Sequence, residues 1–195
     1  MRLLYIGKAR GDAAVTGVRR RAPKSRAMHA AMVIAVGFAL IILAGALLLM
    51  LPCAAKSGRA TPFIDALFTA TSATCVTGLV TVSTAVHWSL FGKCVILLLI
   101  QIGGLGIAIV GAGVFLAMGK RVNLRERMMI RYAMNLDTDS GTIRFVRHLL
   151  LITVIFESAG ALICFAIFAQ DYPPLQALGL GIFHSIASFN NAGFD

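Results

Sequence analysis

The sequence has few charged residues, and acidic residues are the scarcest of them. Asp, Glu, Lys and Arg make up 13% of 195 residues, and only 8 residues are acidic, whereas 58% are hydrophobic. This composition indicates a membrane protein rather than a soluble or disordered one. Cysteine is also scarce: the four cysteines have no paired or metal-like spacing, so no disulfide framework and no zinc site are expected.

The sequence also lacks the residue groups that carry out catalysis. It shows no nucleophile beside a base and no cluster of metal ligands. The run Gly103-Gly104-Leu105-Gly106 has glycines like those of a nucleotide-binding loop, but it lies within an apolar stretch that no strand precedes. Close packing of helices is the better interpretation of these glycines. The sequence therefore does not predict an enzyme or a tightly bound cofactor.

Three apolar stretches are long enough to cross a membrane. They cover residues 30–51, 94–118 and 149–169. The first has 22 residues without a charge, which as a helix would extend roughly 33 Å. Glu157 interrupts the third stretch, and an ionisable residue within a span is either functional or a packing residue between helices.

The basic residues, which give a net charge of +10, lie mainly in two blocks. Eight precede residue 27 and seven lie between residues 120 and 147. A nucleic-acid-binding arm is the alternative. However, both blocks flank predicted spans, and both lie on the same side of the membrane if successive spans cross it in alternating directions. This pattern is typical of cytoplasmic segments in membrane proteins. We expect a cytoplasmic N-terminus and contact with lipid, not nucleic acid.

Two short segments, residues 68–79 and 183–194, repeat each other. In each, ten positions separate a Phe from a Gly, small and hydroxyl residues lie between them, and a proline-containing turn precedes. Such polar loops at membrane depth are costly unless they line a polar cavity. We predict a short helix over residues 62–73, capped by Thr61, and another from Pro173 to about residue 188. An extended loop should follow each helix.

These loops have the composition expected of a cation site. Backbone carbonyls can replace the hydration shell of an ion, and the partly negative C-terminal end of a short helix favours a cation. Gly78 and Gly193 can adopt positive φ without steric cost. The candidate ligands are the carbonyls of Val76, Thr77, Gly78, Asn191, Ala192 and Gly193, with Thr74, Cys75 and Asn190 as weaker candidates.

Four stretches, residues 69–79, 99–106, 119–127 and 184–194, closely resemble the Trk/Ktr/HKT potassium transporters. The likeness is closest to the membrane subunit of bacterial Ktr systems. The resemblance implies transport of K⁺ across the bacterial inner (plasma) membrane. It also implies four helix–pore-loop–helix repeats with one filter glycine each, a homodimer, and a cytoplasmic ring of nucleotide-binding regulatory subunits.

The expected fold is an all-α integral membrane protein built from such repeats. A basic cytoplasmic N-terminus (residues 1–27) precedes a complete first repeat (28–118), a cytoplasmic linker (119–148) with a short helix at 124–135, and a second repeat (149–195) that stops after its filter. Gly78 and Gly193 match the first and second filter glycines. Because two loops cannot encircle an ion as four do, we expect the chain to be the N-terminal part of a transporter.

Two other functions remain open at this point. One is a non-transporting interaction or regulatory subunit that pairs with an intact transporter. The other is a two-helix potassium channel, which is disfavoured because neither loop reads Thr-Val-Gly-Tyr-Gly and the two loops differ.

Overall fold

The computed structural model describes residues 24–118, 124–134 and 141–194, and this part of the chain is helical. The predicted all-α class is confirmed there. A short 3₁₀ helix (Pro52–Ala54) accompanies the α-helices. These are α1 (Lys24–Leu49), α2 (Phe63–Thr74), α3 (Thr84–His87), α4 (Leu90–Leu105), α5 (Ile107–Ala117), α6 (Leu124–Ala133), α7 (Thr142–Phe168) and α8 (Pro174–Phe189).

Helices α1 and α7 are long and apolar enough to cross a membrane. The most apolar 18 residues of α1 have a mean hydropathy of 2.9, and the most apolar 18 residues of α7 have a mean hydropathy of 2.3. Helices α4 and α5 meet the same criteria only as a pair, which is bent by 107°. The described residues therefore contain two helices that could cross a membrane, or three candidate spans if the bent pair is one span.

The apolar stretch at residues 94–118, which was predicted to be a span, is not one continuous helix. Gly106 separates α4 from α5 with φ of 83° and ψ of 141°. The amide of Gly106 donates to the carbonyl of Ile102 (3.0 Å), and its own carbonyl accepts from Ile109 (3.1 Å). The chain turns here because glycine adopts positive φ without the steric cost of a side chain.

The two short helices lie close to their predicted positions, at Phe63–Thr74 and Pro174–Phe189. The predicted Thr61 cap is wrong, because Pro62 occupies the cap position of α2 and no side chain caps the helix. The Thr61 hydroxyl instead lies 2.9 Å from Nε2 of His87. It therefore joins the start of α2 to α3.

The main core lies around α4. Helix α4 packs against α1, α2 and α8, and α8 also packs along α7. Small residues allow these backbones to come close: a Cβ added at Gly181 of α8 would lie 2.9 Å from the carbonyl oxygen of Ala161 in α7. The buried residues of this core are Ala46, Leu49, Ala54, Ala66, Ala70, Ala73, Trp88, Val95, Ile96, Leu99, Ile100, Phe183, Ala187, Ala192 and Phe194.

The linker is helical where it is described. The predicted helix at residues 124–135 is observed as α6 (Leu124–Ala133). Helix α7 begins at Thr142, seven residues before the apolar stretch, so residue 148 marks a change in polarity rather than a helix boundary. Of the predicted basic N-terminus at residues 1–27, residues 1–23 lie outside the described residues, and the remainder begins α1.

Contacts around Trp88 join the two ends of the segment between α1 and α4. An isolated antiparallel bridge joins Ala55 to Trp88, and the hydroxyl of Ser89 donates to the carbonyl of Cys53 (2.6 Å). Trp88 is fully buried. Gly92 lies against it, because an added Cβ would be 3.0 Å from Cε3 of Trp88 and would also meet the Ala54 carbonyl.

We predict that Gly92→Ala destabilises the protein by about 1–3 kcal/mol, the usual cost of forcing an extra group into a packed region. The measurement is the apparent melting temperature of the purified protein in detergent. Gly179→Ala in α8 is the matched control, since a Cβ there meets nothing within 4 Å. Equal melting temperatures for the two variants would contradict the packing described here.

Candidate functional site

Two loops carry the predicted site residues: loop 1 (residues 75–78), which follows α2, and loop 2 (residues 190–193), which follows α8. Both end in a glycine with left-handed backbone, φ of 72° at Gly78 and 66° at Gly193. The positive φ expected of these glycines is confirmed. Equivalent positions in the two loops are 115 residues apart.

The first turn of each loop is also left-handed. Cys75 and Asn190 are still helical, with φ of −86° and −82°. The next residues, Val76 and Asn191, have φ of 58° and 56°. The predicted extended conformation from Thr74 onward is therefore wrong: Thr74 is the last residue of α2, and the chain reverses at Val76 before it reaches the glycine.

Both loops end their helix with the same hydrogen bonds. The amide of Thr77 donates to the carbonyl of Ser72 (2.9 Å), and that of Ala192 donates to the carbonyl of Ala187 (2.7 Å). A second equivalent pair joins Val76 to Ala73 (3.2 Å) and Asn191 to Ser188 (3.0 Å). This is the Schellman arrangement, in which a left-handed residue lets two amides reach the last carbonyls of a helix.

The glycine pair of α4 contacts both loops. A Cβ added at Gly103 would lie 2.8 Å from the carbonyl carbon of Thr74 and 3.0 Å from Cγ2 of Val76. A Cβ added at Gly104 would lie 2.6 Å from Cγ of Asn190. Gly103 and Gly104 therefore pack closely, as predicted for this motif, but their partners are the two loops and the last residue of α2 rather than the length of another helix. A Cβ added at Gly106 would meet nothing within 4 Å.

The loops also contact each other at their glycines. A Cβ added at Gly78 would lie 2.8 Å from Cα of Gly193 and would meet the carbonyl of Ala192. A Cβ added at Gly193 would lie 3.5 Å from Cα of Gly78. The structure therefore places Gly78 of loop 1 beside Ala192 and Gly193 of loop 2.

The predicted residues differ in exposure. Thr74 and Ala192 are buried. Val76, Gly78 and Asn190 are half-buried, and Cys75, Thr77, Asn191 and Gly193 are exposed. Because each loop continues from the C-terminal end of a helix, the partial negative charge of that helix end lies beside it.

Hydroxyl groups in α2 and loop 1 bond locally. Oγ1 of Thr69 donates to the carbonyl of Asp65 (2.8 Å), and Oγ1 of Thr74 donates to that of Ala70 (2.8 Å). Loop 1 itself is joined to its helix by the hydroxyls of Ser72 and Thr77, whose oxygens are 2.9 Å apart.

Loop 2 is joined to other helices by side chains. Nδ2 of Asn190 donates to Oε1 of Gln101 in α4 (2.8 Å) and to the carbonyl of Ile186 (2.9 Å). Nε2 of Gln101 in turn lies within hydrogen-bond distance of both carboxylate oxygens of Glu157 in α7, at 2.8 and 3.0 Å. Sequence reasoning singled out Glu157 but missed its link to loop 2. The available signal was that Gln101 and Glu157 interrupt otherwise apolar stretches.

Residues 11–195 match the TrkH family model, which is described as a cation transport protein. The chain belongs to the TrkH family. The predicted resemblance is confirmed. The family match and the apolar helices together indicate a membrane protein.

Curated relatives are bacterial uptake proteins. The chain is 42% identical over 162 residues to the potassium/sodium uptake protein NtpJ of Enterococcus hirae, and 43% identical over 162 residues to the Ktr system potassium uptake protein B of Bacillus subtilis. It is 36% identical over 166 residues to the Ktr system potassium uptake protein B of Vibrio alginolyticus. Each alignment covers 83% of this chain but only 35–36% of the relative, so the chain spans about a third of the length of these proteins.

We predict that Gly103→Ala disturbs loop 1, because the new methyl group would collide with backbone atoms of Thr74 that cannot easily move. The reporter is Cys75, an exposed thiol within the loop, in protein whose other three cysteines are replaced by serine. Its rate of reaction with a water-soluble thiol reagent should change several-fold in Gly103→Ala.

The matched control is Gly111→Ala in α5, where an added Cβ meets nothing within 4 Å. The rate for this variant should equal that of the parent protein. If Gly103→Ala also reacts at the parent rate, α4 does not hold loop 1 in place.

Proposed function

We propose that this chain takes part in K⁺ uptake across the bacterial plasma membrane and that loops 1 and 2 form part of the selectivity filter. The observation that supports this most is the repeated loop geometry. Two loops with the same left-handed turns and the same helix-ending hydrogen bonds meet at their glycines, and each follows a helix too short to span a membrane.

In this proposal the ion is held by oxygens, since a dehydrated cation needs fixed dipoles in place of water. The C-terminal ends of α2 and α8 add partial negative charge at the same place. The oxygens proposed to line the path are the backbone carbonyls of Val76, Thr77, Gly78, Asn191, Ala192 and Gly193, with Thr74, Cys75 and Asn190 at the inner margin.

Each loop belongs to one helix–pore-loop–helix unit in this scheme. Residues 28–118 form the first unit, with the bent pair α4–α5 as its returning segment, and residues 149–195 begin the second. The names of the relatives support potassium as the transported ion. We place loops 1 and 2 as two of four filter loops, since two loops alone leave half of the ion's surroundings open.

The proposed topology follows the distribution of basic residues. The N-terminus and the linker that contains α6 lie in the cytoplasm, and both loops open to the outer face. The assembly is a homodimer in lipid, and a cytoplasmic ring of nucleotide-binding regulatory subunits contacts the linker. The resemblance of the four sequence stretches to Ktr membrane subunits supports these partners.

Gly78→Ser and Gly193→Ser, each introduced into the complete polypeptide, are expected to lower the preference for K⁺ over Na⁺ several-fold. A side chain at either position is strained at positive φ, and at Gly78 it also collides with loop 2. Uptake of K⁺ and of Na⁺ is measured in bacterial cells that lack their own potassium uptake systems.

Gly58→Ser is the matched control. Gly58 also has positive φ (68°), but it lies outside both loops and nothing surrounds it within 4 Å. It should leave the ratio of K⁺ to Na⁺ uptake unchanged. An unchanged ratio in both loop variants would refute the assignment of the filter.

A further inference from the structure

A side chain of loop 2 forms hydrogen bonds to other helices, whereas the side-chain hydrogen bond of loop 1 is to its own helix. In loop 1 the hydroxyls of Ser72 and Thr77 are paired across the turn at 2.9 Å. The equivalent positions near loop 2 are Ala187 and Ala192, whose side chains have no polar atoms. Loop 2 has two polar side chains, Asn190 and the exposed Asn191. The side chain of Asn190 bonds to α4 and α7.

The bonds around Asn190 have a defined direction. In its ionised form a carboxyl group can only accept hydrogen bonds, so an ionised Glu157 orients the NH₂ group of the Gln101 amide toward itself. Nε2 of Gln101 then donates to Glu157, which leaves its Oε1 to accept from Nδ2 of Asn190 at 2.8 Å. The orientation of the Asn190 amide is therefore set by a carboxylate on a different helix.

Packing and backbone contacts keep this group in register. The side chain of Asn190 lies against Gly104, where α4 has no Cβ to push it away. The hydroxyl of Ser185 donates to the backbone carbonyl of Glu157 at 2.6 Å. Helices α7 and α8 are thus joined at the level of the carboxylate.

We propose that Gln101 and Glu157 are positioning residues that fix loop 2 through Asn190 and thereby set the ion selectivity of that loop. This inference rests on the proposed function, since selectivity has meaning only if loop 2 lines an ion path. Neither residue supplies an ion ligand in this scheme. They act by holding the amide of Asn190 and, with it, the first turn of the loop.

An exchange of the two groups tests the proposal. Gln101→Glu places two carboxylates against each other, and it should lower the ratio of K⁺ to Na⁺ uptake several-fold. Glu157→Gln nearly preserves shape but removes the acceptor-only group that orients the chain, so it should lower the ratio less.

The double variant with both substitutions is the decisive one. Glu at position 101 would accept from Asn190 and from the new amide at position 157, which restores a directional chain. The ratio should therefore return toward that of the parent protein, a coupling between the two positions that independent effects would not give. Gln170→Glu, in the exposed turn that follows α7, is the control for added charge and should leave the ratio unchanged.

Because a ratio of two uptake rates does not depend on the amount of folded protein, reduced expression does not imitate the expected result. If Gln101→Glu fails to fold, the comparison of Glu157→Gln with the parent protein still decides. The inference is overturned if both single variants have the same ratio of K⁺ to Na⁺ uptake as the parent protein. It is also overturned if the ratio of the double variant is no higher than that of Gln101→Glu. Those results count against the inference alone when Gly193→Ser does change the ratio. If Gly193→Ser and Gly78→Ser also leave it unchanged, the proposed function itself has failed.

Discussion

The arrangement of both loops depends on the close approach of α4 to the ends of α2 and α8. At Gly103 and Gly104 the helix has no side chains, so the carbonyl of Thr74 and the side chain of Asn190 occupy the space that Cβ atoms would otherwise fill. Any larger residue there would separate the helix from the loops. Loop 1 contacts Gly103 and loop 2 contacts Gly104, so the two loops are brought side by side and Gly78 can meet Gly193.

Several polar side chains beside the loops bond within the protein, which lowers the cost of placing them in a low-dielectric surrounding. The threonines of α2 bond to carbonyls one turn back. Gln101, Glu157 and Asn190 bond to each other. The two loops are therefore held by different groups. Hydroxyls of loop 1 and its own helix bond to each other, whereas loop 2 bonds to amide and carboxylate groups of other helices.

Much of this site could be predicted from local sequence. Proline before a short apolar run indicated both short helices, and the spacing of glycines indicated two equivalent loops with positive φ. The left-handed turn at Val76 could not be predicted, because β-branched residues rarely adopt that conformation and the stabilising contact with Gly103 is distant in sequence. The link from Gln101 to Glu157 depends on how α4 packs near α7, which hydropathy does not encode. The bend at Gly106 was missed because the apolar run continues without interruption through it.

That bend has a consequence for solvation. A helix end leaves several backbone groups without partners in the helix, and the turn of 107° at Gly106 places the carbonyl end of α4 and the amide end of α5 side by side. Acyl chains offer no hydrogen bonds to such groups, at a cost of several kcal/mol for each one left unsatisfied. Any backbone group at this turn that has no partner in the chain would therefore need protein or water beside it rather than acyl chains.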